Sequence, residues 1–223
     1  MPSVMQLALG SQYERMHPML QKQYSITGGS GFCSTGAGVM SEITRGSRLM
    51  SPFLKLGAKR FVLFPEAGKD IPFSIDNFAF VDQLGRETIT WTRKFQFETE
   101  RRFDEYMIYN ERLKRLVIYA GSHQHLAVDL ETWVDEKGEL WFKTGAQRIY
   151  EGPIAFRFPK LLSGVALVRE AYNDELGAFE IDVQVTNRVF GHIFGYKGTF
   201  NLDQVPCSAI PAAALPKRVE SRD

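Results

Sequence analysis

Arg93 is the first residue that asks for a chemical explanation. In the run Glu87 to Phe97, residues Ile89, Trp91, Phe95 and Phe97 share one side of a period-two alternation. Thr88, Thr90, Thr92, Lys94 and Gln96 share the other, and Arg93 falls on the apolar side between Trp91 and Phe95. A buried guanidinium is costly unless a carboxylate answers it or its head reaches water. Glu42, Asp104, Glu151 and Glu170 are the candidate partners. Two readings stay open. One is a structural ion pair, or an arginine whose head snorkels to solvent at a strand end. The other is an anchor for the carboxylate, phosphate or carbonyl of a ligand, with Trp91, Phe95, Phe194, Tyr196 and Glu42 completing its site.

His192 alternates with Phe190, Phe194, Tyr196 and Phe200 in the last strand-like run. A neutral imidazole there could move a proton, and Glu170 is the alternative proton carrier. The competing reading is a hydrogen-bonded core histidine. His123 and His125 lie two apart, with Asp129 further along the same side, which is weak metal-ligand spacing. Their neighbours Leu126, Val128 and Leu130 form the more apolar face, so a solvent-facing pair with no metal is the expectation. No Gly-x-Ser-x-Gly elbow or phosphate loop is present, and Gly28-Gly29-Ser30-Gly31 follows no strand. Nothing in the sequence calls for a cofactor. Cys33 and Cys207 are far apart along the chain and have no redox or metal spacing. The basic run through Arg101, Arg102, Arg112, Lys114 and Arg115 is interleaved with Asp104, Glu105 and Glu111, which suggests a solvated face.

These side chains must be positioned by a soluble globule. The chain has 223 residues, 44% of them apolar and 24% charged, with a formal net charge of +1. That charge argues against nucleic acid as a partner. No apolar run approaches the ~18–20 residues of a spanning helix, and the N-terminus lacks a secretory pattern. Together with the sparse cysteines, this makes the cytoplasm the expected home.

The spacing of Leu9, Tyr13, Met16, Leu20 and Tyr24 predicts helix, with Ser11 a possible cap and a break at His17-Pro18. A further helix is expected over Ser47–Leu56, with Leu49, Met50, Phe53 and Leu54 on its apolar side and Pro52 in its first turn. It could plug a barrel, serve as a lid, or touch a membrane. For the last, its basic flank is weaker than such contact usually needs. Gly31 to Arg45 reads as a strand with a bend or close approach at Gly36 and Gly38. After Pro65 nearly everything is strand, with turns near Asp82-Gln83-Leu84-Gly85, Asn110, Asp135-Glu136-Lys137-Gly138 and Asn173-Asp174-Glu175. About ten strands spaced 8–12 residues apart imply a sandwich or barrel.

Several motifs resemble a bacterial family known as domain of unknown function 4166. They are Tyr13-Glu14-Arg15-Met16-His17-Pro18, Thr44-Arg45-Gly46, Trp91-Thr92-Arg93-Lys94-Phe95, Glu151-Gly152-Pro153, Arg169-Glu170 and Phe194-Gly195-Tyr196-Lys197-Gly198-Thr199-Phe200. The resemblance runs to about Asp203. It brings no reaction with it, but implies that similar domains occur fused behind dehydrogenase-like domains.

The expected architecture is therefore mainly β. Residues 1–203 would form a single domain, an antiparallel curved sheet or partial barrel with two or three short helices near the N-terminus, and 204–223 a flexible tail. The leading functional expectation is binding of an apolar small molecule with an anionic or carbonyl group, held by Arg93. The alternatives are a cofactor-independent enzyme of cyclase or isomerase type, and an accessory domain for a separate dehydrogenase-like protein.

Overall fold

The computed structural model describes residues 1–47, 50–159, 161 and 163–223. Among the described residues eleven strands follow one another with the alternation read above: β1 (Phe32–Arg45), β2 (Gly68–Val81), β3 (Glu87–Phe95), β4 (Arg101–Asn110), β5 (Arg115–Ala120) and β6 (Leu126–Val134). Then come β7 (Leu140–Glu151), β8 (Ile154–Arg157), β9 (Val165–Asn173), β10 (Ala178–Asn187) and β11 (Gly191–Pro206). Every pairing is antiparallel. The order is β6-β5-β4-β3-β2-β1-β11-β10-β9-β7-β8, and a further β6–β7 pairing joins the ends. Ten strands thus form a closed barrel, a stricter arrangement than the partial barrel expected, and β8 is appended outside the ring.

The first and last strands of the chain are neighbours: Phe32 stands opposite Pro206 and Arg45 opposite Phe194. They cross closely. A Cβ on Gly38 would run into the Thr199 carbonyl, and one on Gly198 into the carbonyl of Val39. Gly38 is therefore the close approach that the small-residue run suggested.

Helices close one end of the barrel. The segments are α1 (Val4–Leu9), a 3-10 stretch (Gly10–Arg15) and α2 (Pro18–Gln23). Ser3 caps α1 in a reciprocal capping box with Gln6, and the His17 ring caps α2. Ser11 plays no such part. Met5, Leu9, Met16, Leu20 and Tyr24 are buried against the strands. His17 stitches this cover to the wall: its N–H donates to the Gly138 carbonyl at 3.0 Å, and its ring stacks on Tyr172 at 5.0 Å.

The other end is covered differently. α3 (Ser51–Ala58) lies in the β1–β2 connection with Pro52 in its first turn. The helix was expected from Ser47 to Leu56, but Ser47 is not helical and the helix runs on to Ala58; Arg48 and Leu49 lie outside the described residues. Leu54 is buried, but Phe53, assigned to the apolar side, is 67% exposed. The segment after α3 sends Phe64 into the barrel, within 4.9 Å of both Phe95 and Phe194. Phe73 and Tyr196 pack on Phe95 at 5.2 and 5.3 Å. Aromatic rings thus fill the side of the interior next to β1, β2, β3 and β11.

Beyond β11 the tail is hydrogen-bonded to the barrel wall. Lys217 N–H donates to the Ser122 carbonyl and Glu220 N–H to Gln124 Oε1, at 2.9 and 2.8 Å. Asp223 meets Arg148 at 2.9 Å. The reason is a small outer cluster, Tyr106, Ile108, Val117, Tyr119, Ala127 and Tyr150, that needs cover. The tail also brings Cys207 back to β1, where its N–H donates to the Gly31 carbonyl. Cys33 and Cys207 therefore border one cleft despite their separation in sequence. No described helix is long and apolar enough to cross a membrane.

Candidate functional site

Beside this aromatic packing the interior holds a cavity of about 70 Å³. Its walls are mostly apolar, from Leu63, Met107, Ile118, Phe142, Val168 and Val183 among others. Besides Thr144 at its edge, four polar side chains line it: Arg93 from β3, Glu105 from β4, Glu170 from β9 and Tyr196 from β11. All four residues are buried, whereas Leu63, Thr144, Ala166 and Val185 are only half-buried and mark its mouth.

Arg93 points inward as its place in the alternation required. Its hydrogen-bonded partner is not one of the four carboxylates expected but Glu105. Nη1 donates to Glu105 Oε2 at 2.6 Å, and the guanidinium lies 5.2 Å from the Trp91 and Phe103 ring centres. Glu105 alternates with Phe103 and Met107 along β4, the same anomaly that singled out Arg93, and that was the available signal. Of the four partners expected, Glu170 enters the same cavity but is bonded to Tyr24, and the other three are placed elsewhere. Asp104 points outward to Arg102 at 2.7 Å, Glu42 is on the outer face with Lys197 at 3.1 Å, and Glu151 is exposed. Glu42 is thus no part of the cavity, because β1 turns that side of its pleat outward. Burial works against the charged form of Arg93, but Tyr196 and Glu105 more than reverse this and hold its pKa above the ordinary arginine value. Its Nε has no hydrogen-bond partner among the described residues.

Glu170 stands on the inward side of β9 with Ala166 and Val168. Tyr24 OH donates to its Oε2 at 2.6 Å, and Gln23 Nε2 reaches the same oxygen at 3.5 Å. Both donors come from the helical cover, so the closed end of the barrel supplies the Glu170 hydrogen bonds. Burial pushes the Glu170 carboxyl up from its ordinary value, against the pull of Tyr24 and Arg93. Burial and Glu170 push the Tyr24 hydroxyl up as well.

The remaining candidates separate cleanly. Trp91 and Tyr196 line the cavity, while Phe95 and Phe194 are fully buried in the aromatic packing beside it. His192 is on the outside, exposed, with Nε2 2.9 Å from Thr44 Oγ1. The cause is a bulge: Val185 stands opposite Phe194 but Thr186 opposite His192, so β11 has one extra residue at Ile193. An extra residue reverses the facing of everything before it. Arg93 and His192 therefore share no cavity. His123 and His125 sit in the β5–β6 turn with ring centres 6.3 Å apart. Burial and the Arg60 guanidinium lower both pKa values. Asp129, their supposed third ligand, is held by Arg115 and Arg148, and no group of three metal-ligating side chains occurs among the described residues.

A strap from α3 crosses the mouth. The Arg60 carbonyl accepts from Ser122 N–H and the Phe61 carbonyl from Asp104 N–H, each at 2.9 Å. Phe61 has φ of 59°, a strained setting for a side chain of that size. Leu63 follows at the edge of the cavity.

A barrel wall with one buried ion pair, one buried carboxyl and an apolar cavity occurs in many unrelated proteins, so relationship must come from sequence. Residues 16–200 match the model of a family described as "Domain of unknown function (DUF4166)". The chain is similar to the uncharacterized protein YndH of Bacillus subtilis (strain 168), at 37% identity over 194 residues, which covers 86% of this chain and 93% of that protein. The match takes in the barrel from β1 into β11, including Arg93, Glu105 and Glu170. By this measure the chain belongs to the DUF4166 family.

Proposed function

We propose that the barrel binds an apolar small molecule through one carbonyl or anionic group held by Arg93. The observation that carries this reading is a guanidinium at the wall of an apolar cavity, with Nη1 taken by Glu105 and Nε left without a partner among the described residues. A buried donor of that kind is costly unless something accepts from it. Because Glu105 already neutralises Arg93, a carbonyl or protonated carboxyl suits the site better than a second full negative charge. The room is small. A cavity that takes benzene measures roughly 150 Å³, about twice the space here. The ligand is therefore compact, or Leu63 and its strap yield to admit it. The cytoplasm is the compartment this reading assumes.

The test is native mass spectrometry of protein purified from its own host, followed by denaturing extraction, and then titration of a graded series of ketones and carboxylic acids. A released molecule bearing a carbonyl, retained by wild type and lost by Arg93→Met, supports the reading. A wild-type barrel that emerges empty and takes up no member of the series sinks it.

Glu170 supports a second reading, a cofactor-independent enzyme. A carboxyl held toward its neutral form by burial, in one cavity with a guanidinium, has the makings of an acid–base pair. In that case Glu170 alone moves the proton, since His192 is outside. Glu170→Gln would then keep ligand binding and lose turnover of the extracted molecule.

A further inference from the structure

We infer that Cys33 and Cys207 form a reversible redox site, a thiol pair that a low-molecular-weight disulfide converts into a covalent bond between β1 and the root of the tail. The two residues lie near opposite ends of the sequence, and the strand pairing brings them together. Phe32 stands opposite Pro206 and Cys33 opposite Val205. One step further out, Cys207 N–H donates to the Gly31 carbonyl at 2.9 Å. Residues directly opposite one another, and residues two apart along one strand, share a face of the sheet. Cys33, Val205 and Cys207 therefore project to the same side.

That side is an open cleft of about 500 Å³, bordered by both cysteines together with Phe32, Phe78, Phe80 and Ile210. It shares no lining residue with the cavity around Arg93. Both cysteines are free thiols; Cys33 is buried and Cys207 half-buried. Each thiol acts on the other. Burial and the neighbouring Cys207 side chain push the Cys33 thiol up to about 11, so at neutral pH Cys33 stays protonated and Cys207 is the one that reacts first. A disulfide needs Cα atoms within about 7 Å and diagonal neighbours across a ladder sit at about 7–8 Å, so a shift of about an ångström closes the bridge. Cys207 lies past the last residue of β11, where the backbone can make that shift without breaking the ladder.

The chemistry is thiol–disulfide exchange in two steps. The Cys207 thiolate attacks one sulfur of the small disulfide RS–SR, forms a mixed disulfide and expels RS⁻, which takes up the proton Cys207 released. Cys33 then gives its proton to solvent, and its sulfur attacks Cys207 Sγ and expels the second RS⁻, which is protonated in turn. Two protein thiols and one small disulfide become one protein disulfide and two small thiols. The protein is oxidised by two electrons and the reagent reduced by two. Where small thiols keep cysteines reduced, a bridge of this kind is transient and records exposure to oxidant. Its structural effect is to pin the tail, which covers Tyr106, Tyr119 and Tyr150, to the first strand of the barrel.

The experiment treats the full chain with oxidised glutathione, quenches with iodoacetamide, and reads the intact mass and then the peptide map. Wild type should lose two hydrogens, lose both alkylatable thiols and yield Cys33 and Cys207 in one linked peptide pair, all reversed by dithiothreitol. Cys33→Ser should stop at a single glutathione on Cys207, and Cys207→Ser should leave Cys33 unmodified. The oxidised wild type should unfold at a higher denaturant midpoint than the reduced protein, and that rise should be absent in Cys207→Ser. A wild type that stops at the glutathione adduct, that keeps both thiols alkylatable, or that links two chains through Cys207 would overturn the proposal. An oxidised midpoint no higher than the reduced one would overturn the hold on the tail.

Discussion

The two ends of the barrel are closed by different physical means. At the helical end, Met5, Met16, Leu20 and Tyr24 are almost wholly excluded from solvent, and the cover is bonded into the interior through Tyr24 and Glu170. At the mouth, one ring, Phe64, is driven in as a plug while Phe53 and Leu56 stay outside. The strap beside it includes a strained Phe61, and its side chain Leu63 is only half-buried. One end is built as core and the other as surface that happens to cover a cavity. The comparison teaches where stability and access reside: loss of contacts at the first should unfold the protein, and at the second should mainly change traffic.

The widest separation should come from truncating one residue at each end. Tyr24→Ala removes a fully buried ring and the donor to Glu170, and should cost about 3–5 kcal/mol in denaturant unfolding. Leu63→Ala, at the half-buried edge, should cost under about 1 kcal/mol. Equal losses would mean that the strap is as much core as the helices, and the contrast would fall.

The ion pair between the two ends sharpens the point. Glu105→Ala leaves Arg93 buried without its partner and should cost about 3–5 kcal/mol. Arg93→Met combined with Glu105→Leu should recover to within about 1 kcal/mol of wild type, because replacing a whole buried pair by apolar side chains is often neutral. A stable double variant that no longer takes up ketones would assign the pair to binding. One that unfolds as readily as Glu105→Ala would assign it to the fold.

Glu170 makes the helical end sensitive to pH. Its folded-state pKa is raised by burial, so the folded protein holds that proton more tightly than the unfolded chain does. Its contribution to stability is fully present below the ordinary value of 4.5 and is lost as pH rises from there through the raised value. Glu170→Gln lacks this dependence. Unfolding midpoints of the two proteins followed upward from pH 4 should therefore shift in favour of the glutamine variant. A gap that stays constant with pH would show that Glu170 titrates normally. The smallest effect belongs to His192→Ala, since the ring lies on the outer face against Thr44. Stability should change by less than about 0.5 kcal/mol, and ligand uptake not at all.

The architecture was legible because alternation is local. Ile89, Trp91, Arg93 and Phe95 state their own facing, and each turn signal marks the end of a strand. Arg93 could be placed for the same reason. Its partner Glu105 was equally visible by alternation with Phe103 and Met107, but its neighbours Arg101, Arg102 and Asp104 made it look like part of a solvated run. His192 was misplaced because a bulge at Ile193 leaves no trace in composition, and one inserted residue changes the facing of what precedes it. Closure through β6 and β7, and the attachment of the tail over Tyr106, Tyr119 and Tyr150, depend on which distant strands become neighbours.

The pairing of the first strand with the last has a consequence in time. β1 has one neighbour, β2, that follows it at once, and another, β11, that is made last. At synthesis rates of roughly 5–20 residues per second, the edge of β1 waits on the order of 10–30 s for its partner. Until then a fourteen-residue strand presents unpaired backbone groups to any passing chain. The glycines that let β1 and β11 cross closely also make that waiting edge a poor template, since Gly36 and Gly38 interrupt it with the weakest strand-forming residues. The seam that completes the native barrel is thus also the place where a nascent chain is least inclined to pair with the wrong neighbour.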